Sequence, residues 1–148
     1  MARTAASHLQ LSLRQTPQLH PSGAPAPVRL TPTDAWLLAW LAIEGPTPRE
    51  RLATLLWPHS EAAAARNALR QRIHRLRRLA GADLVQGQAV LALSAQLQHD
   101  LKPDAPLLEG VALPESGELL SWLLEQQAQC RARVQGQQAE RIDPLEKS

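Results

Sequence analysis

Between residues 61 and 79 the chain carries Asn67, Gln71, His74 and Arg78 at steps of three and four, with Arg66, Arg70 and Arg77 on one flank and Arg72 and Arg75 on the other. Such steps bring side chains onto one face of a helix. Amides and guanidinium forks shown in successive turns can pair with base edges, Asn and Gln with adenine and Arg with guanine. No acid stands between Glu61 and Asp83 to neutralise them. The opposite face, Ala62, Ala65, Leu69, Ile73, Leu76 and Ala80, is apolar. A solvated amphipathic helix shares this pattern, so the rest of the chain must weigh in.

The sequence offers little other chemistry. The five His, at positions 8, 20, 59, 74 and 99, lack ligand-spaced partners. There is no Gly-rich phosphate loop and no Gly-x-Ser-x-Gly elbow. Cys130 is the sole cysteine, which excludes an internal disulfide and a Cys-based zinc site and suits a reducing cytoplasm. Within a Gln- and Arg-rich stretch it reads as an inert helical thiol. The expectation is therefore no enzyme, no metal and no cofactor. The longest apolar run, Ala35 to Ile43, falls far short of the roughly 20 residues that cross a bilayer. No apolar signal core opens the chain, so a cytoplasmic location without membrane contact is expected.

Charge is unevenly spread over the 148 residues, whose net charge is +2. Residues 45–82 carry eight Arg against Glu50 and Glu61, a net of +6. Residues 83–148 carry five cations against ten acids, a net of −5. A basic middle suggests a polyanion-binding element. Fourteen of the sixteen cations are Arg, whose fork suits phosphate and base edges better than Lys does.

The elements that must position these groups are mostly helical, because a core without Phe or Tyr has to be built from Leu, Ala and four Trp. Residues 1–8 read as a loose start. Leu9, Leu11 and Leu13 alternate with polar residues as a short strand. Pro-rich turns fill residues 15–27, with a poor strand around Gln18 to His20, and Val28 to Leu30 forms a third. Thr31-Pro32-Thr33-Asp34 opens a first helix, with Asp34 near its positive end. That helix is apolar on nearly every side to Ile43 and stops at Gly45-Pro46, so it is a central core helix, with Trp36 and Trp40 packed inside. Thr47-Pro48-Arg49-Glu50 reads as a capping box for a second helix, Pro48 to about Trp57, with Trp57 in the core. Ser60 caps the third, Glu61 to about Leu79, closed by Gly81. Leu84 to Gln86 and Ala89 to Leu93 flank Gly87-Gln88 as a hairpin with a tight turn. Residues 94–113 read as a linker, and a last helix runs from Ser116 to about Val134, before a frayed end at 143–148. The fold class is mainly α with small β: a short N-terminal sheet, three helices, a C-terminal β-hairpin and an additional C-terminal helix. That order is a winged helix-turn-helix. The division is 1–101, a winged-helix DNA-binding domain, and 102–148, a linker and helix.

The same residues carry a family resemblance. L-A-x-L-A-x-E-G from Leu38, P-x-x-R-E-x-L-A-x-L-L-W-P from Pro46 and A-x-x-N-A-L-R-Q-x-I-H-R-L-R-R-L from Ala64 are similar to the winged-helix domain of SARP-type bacterial transcription activators, which have the OmpR/PhoB-like fold. The specific parts are "LLWP" at Leu55 to Pro58 and the run from Arg66 to Arg77. The likeness extends from Leu9 to Leu101. It implies sequence-specific binding of double-stranded DNA, often at direct repeats, and recruitment of RNA polymerase. Leu107 to Arg133 is similar to the opening of the helical-repeat activation domain that follows in such regulators, departing from it at Gln127 and Ala128. The hairpin departs too: the family's wing usually offers an aromatic or basic residue near its tip, and Asp83 to Asp100 holds no Lys or Arg.

The resulting reading is a DNA-binding transcription regulator, monomeric or weakly dimeric in solution and bound to DNA as tandem copies. Asn67, Arg70, Gln71 and His74 are expected at base edges, and Arg66 is placed for either role. Arg77 and Arg78 are expected at phosphates, with Thr47, Arg49 and Arg51 at the start of the second helix. The rivals are a protein-docking winged helix without DNA contact, an RNA binder, which the lack of exposed aromatics disfavours, and an enzyme built on Cys130.

Overall fold

The computed structural model describes residues 9–13, 18–20, 28–95, 97–99, 107–108 and 111–147. The loose start at 1–8, the turns on either side of 18–20, and much of the expected linker at 94–113 lie outside the described residues.

Three short strands open the fold: β1 (Leu9–Ser12), β2 (Gln18–His20) and β3 (Val28–Arg29). They pair antiparallel in sequence order. The Leu alternation points Leu11 and Leu19 inward. A strand absent from the expectation, β7 (Leu97–His99), lies parallel to β1 and completes the order β3-β2-β1-β7.

Helix α1 (Pro32–Glu44) starts as expected. The Thr31 hydroxyl accepts from the Asp34 amide at 3.3 Å, and Gly45 ends the helix at φ +82°. Ala35, Leu37, Leu38, Ala39, Trp40 and Leu41 are all buried, so α1 is the core helix that its composition required. Asp34 stands in the first turn near the helix's positive end, as expected, and it is fully buried there.

Helix α2 (Arg49–Leu56) turns Leu52, Ala53, Leu55 and Leu56 inward. The expected capping box does not form, since no side chain caps α2. Thr47 has a stronger competitor. Its hydroxyl donates to the Gly45 carbonyl at 2.9 Å and accepts from the Trp40 indole at 3.0 Å. Thr47–Pro48 is a strand, β4.

Helix α3 (Ala62–Ala80) has no side-chain cap, so Ser60 does not play the expected role. Gly81 closes it in the left-handed region at φ +72°. Ala65, Leu69, Leu76 and Ala80 are buried, and Ile73 is half-buried against the core. Ala62, expected on that face, is exposed because it stands at the projecting first turn.

Strands β5 (Val85–Gln86) and β6 (Val90–Leu93) form the hairpin. Its turn is wider than expected. Gln86 pairs with Ala92, while Val90 and Leu91 pair with Pro48 and Thr47, giving the order β4-β6-β5. β4 lines the far edge of β6, and residues 87–89 loop out beyond the Gln86–Ala92 pair. Gly87 is required there, because a Cβ would run into the Val90 carbonyl oxygen.

Helix α4 (Glu118–Lys147) continues past Val134 and through most of the segment expected to fray. Neither Gly136, at a cost of about 1 kcal/mol, nor Pro144 ends the helix, and Gln, Ala, Glu and Arg between them are good helix formers. Its first turns dock. Leu119 and Leu123 are buried, and Trp122 lies against Trp40 with ring centres 4.7 Å apart. Gln127, also buried, donates to the Leu107 carbonyl at 2.9 Å. Leu107, Leu108, Leu119 and Leu123 join the same apolar cluster as Leu38 and Leu52. The division after residue 101 is therefore not a division of the core. No helix among the described residues is long and apolar enough to cross a membrane.

A shared core makes a thermodynamic prediction. Leu69→Ala and Leu123→Ala should each cost about 2–5 kcal/mol. Urea unfolding followed by tryptophan fluorescence and by circular dichroism should show one transition moved by both. Two transitions, each moved by one variant, would restore the two-part division.

Candidate nucleic-acid interface

The inward face of α3 is fixed by Ala65, Leu69 and Leu76, and this sends the polar residues outward. Arg66, Asn67, Arg70, Gln71, His74 and Arg78 are all exposed, as is Arg75, which the sequence reading left out of the site. Asn67 to Arg78 spans about 16 Å at 1.5 Å per residue, comparable to the roughly 12 Å width of a major groove. The Arg70 guanidinium donates to the Asn67 side-chain carbonyl at 3.1 Å. That bond holds both groups on the outer face, one turn apart. No acid among the described residues pairs with Arg66, Arg70, Arg75 or Arg78.

The expected phosphate contacts fare differently. Arg77 pairs with Asp83 at 3.1 Å, with both side chains more than half exposed. Exposed pairs of this kind contribute little, so the guanidinium can exchange partners cheaply. Arg49 donates from Nε to the Gln88 carbonyl at 2.8 Å, and its amide donates to the Ala89 carbonyl at 2.8 Å. It is the peg that holds the hairpin loop against α2. Arg51 forms a two-bond fork with Glu118 of α4, its guanidinium 5.7 Å from the centre of the Trp40 ring. The hydrogen bond to Glu118 raises the Arg51 pKa, and the same bond lowers that of Glu118. Thr47 needs correction as a phosphate contact. It is buried, and its hydroxyl hydrogen is already given to Gly45, because β4 pairing with β6 turns it toward Trp40.

The hairpin tip shows Gln86, Gly87, Gln88, Ala89 and Val90 to solvent, with no charge among them. Val90 is 49% exposed. Cys130, the centre of the enzyme rival, is half-buried against the core.

The sequence missed the residues that occupy the cations. Glu118 and Asp83 are ordinary surface acids by type, and Gln88 and Ala89 act through main-chain carbonyls that leave no trace in side-chain pattern. Arg75 was legible, since its flank position was already assigned. No family model, curated protein or solved structure matches the chain.

Removing the fork partner should have a small, pH-dependent effect. A carboxyl whose folded pKa lies below its ordinary value stabilises the fold above that ordinary value, and the contribution fades as pH falls through the folded one. Glu118→Gln should therefore cost at most about 1 kcal/mol at pH 7, and the difference should close in strong acid. Urea unfolding at both pH values checks this. A gap that persists in acid would mean that packing, not the ion pair, is what Glu118 supplies.

Proposed function

We propose that the chain is a sequence-specific DNA-binding transcription regulator of winged-helix type, with α3 reading the major groove of double-stranded DNA. The observation that carries this reading is the outer face of α3. Amide side chains and guanidinium groups without an acid partner among the described residues stand there together, on a helix without an acid. The element order supports it: three helices, then a hairpin tied to the start of the second helix through β4. The resemblance to SARP-type activators supports it too, and through that resemblance RNA polymerase is the proposed protein partner.

Asn67, Arg70, Gln71 and His74 contact base edges, with Arg66 at either a base or the backbone. Arg75 and Arg78 contact phosphate, joined by Arg77 when it exchanges Asp83. Arg49 holds the hairpin loop. The neutral hairpin adds little grip in a minor groove, so affinity rests on α3. One helix covers a fraction of a groove turn, so tandem copies on a repeat spaced by about one helical turn, 10–11 base pairs, complete a site. A second reading, a docking surface for another protein, is favoured by one feature, the uncharged hairpin with Val90 half-exposed.

Random-site selection followed by gel shift over a salt series tests the proposal. About three to four phosphate contacts at about −0.9 each give a slope of log K against log salt near −3 for each bound copy. Arg70→Ala should cost roughly 1–3 kcal/mol on the selected duplex and little on random DNA. Arg78→Ala should weaken both alike. A flat salt response, or no duplex bound at low salt, would leave the protein-docking reading in its place.

A further inference from the structure

Among the described residues, Asp34 is the one carboxylate that the core swallows. Its side chain is 1% exposed, and neither carboxylate oxygen has a hydrogen-bond donor. A buried carboxylate without hydrogen bonds is costly and rare in native folds. It stands at the start of α1, the helix on which the rest of the core is built. Its nearest cation is Arg72 of α3, whose Nη1 lies 3.7 Å from Oδ1 and 3.5 Å from the Thr31 hydroxyl. Arg72 adjoins Gln71 in sequence, in the middle of the reading helix, and its side chain is turned back toward α1 instead of outward.

The remaining contacts of α3 with the core run through Ala65, Leu69, Ile73, Leu76 and Ala80. Close packing of these side chains sets which face of α3 points inward. The Arg72 guanidinium, lying between a buried carboxylate and a hydroxyl, adds a charged constraint at mid-helix that apolar contacts do not supply. We propose that Asp34 is the positioning residue of the reading helix: through Arg72 it fixes the roll and advance of α3, and so where Asn67, Arg70, Gln71 and His74 meet the bases. The inference rests on the DNA-reading role of α3, and it assigns to the first helix a part in specificity without any contact to DNA.

Stability and positioning pull apart here. Burial raises the Asp34 pKa, opposed by the charges of Arg72 and Arg75. A folded pKa above the ordinary value means that the fold holds this proton more tightly than the unfolded chain does. Stability therefore falls as pH rises from about the ordinary carboxyl value through the raised one, so ionising Asp34 is a net burden on folding. Neutralising it relieves the fold while it releases Arg72.

The test compares the full chain with Asp34→Asn, and with Arg72→Lys, which keeps the charge and loses the fork. Asp34→Asn should keep or raise the thermal midpoint. It should lower the preference for the selected duplex over a scrambled one by about tenfold or more, as misplaced base contacts do. Solvent exchange of the Arg72 guanidinium protons, followed by NMR without DNA, should be slow in the full chain and fast in Asp34→Asn. Arg72→Lys should keep part of the preference. A lowered midpoint with the preference intact would make Asp34 a structural residue and overturn the inference, as would no change in either the preference or the exchange. If the full chain selects no duplex, the DNA reading itself fails. The Arg72 exchange rates then still decide whether Asp34 ties α3 down.

Discussion

Helix α1 has almost no face fit for water, and covering it organises the fold. Leu11 and Leu19 of the first sheet, Leu52 and Leu55 of α2, Leu69 and Leu76 of α3, Leu91 of β6, and Leu119 and Leu123 of α4 all lie in the one apolar cluster around it. With no Phe or Tyr available, coverage has to come from many Leu on many short elements. This explains why strands of two to four residues persist, and why the C-terminal helix docks instead of standing apart. Each buried Leu is worth about 1.5–3 kcal/mol, and few of them sit on any one element. The elements therefore depend on one another.

Covering α1 also sorts the cations. An Arg near the core is held by whatever carbonyl or acid the packing brings. Arg49 takes the Gln88 carbonyl, Arg51 takes Glu118, and Arg72 turns to Asp34. Arg77 meets Asp83 just beyond the end of its own helix. What is left on the outside of α3 is a consequence of Leu69 and Leu76 pointing in. The outward set lies on one side of one helix, as the proposed reading face requires.

The parts legible in the sequence are those decided within a few residues. Thr31-Pro32 sets the start of α1 and Gly81 the end of α3, because cap geometry is local. The exposure of Asn67, Arg70, Gln71 and His74 follows from helical periodicity alone. The misses were decided at a distance. Thr47 carries every mark of a cap, yet the Trp40 indole and β6 claim it. Strand β7 is three residues long, too short to show a period, and exists because β1 offers it an edge. Leu119, Trp122 and Leu123 at packing spacing call for a covering surface, but that Trp122 finds Trp40, 82 positions away, is something no local pattern reports.

The sorted charges also bound how the proposed reader can work. Four guanidinium groups, Arg66, Arg70, Arg75 and Arg78, face outward without an acid partner among the described residues. If one or two of them read bases, two or three remain for phosphate, joined by Arg77 at the small cost of an exposed pair. So few contacts yield weak non-specific attachment, and the neutral hairpin adds no electrostatic grip of its own. Discrimination must then come from geometry: from how rigidly α3 is held while its Asn, Gln and Arg meet the groove. In such a reader a tie between α1 and α3 matters more than one further surface cation. A cation would tighten every sequence alike, whereas a fixed helix penalises only the wrong ones.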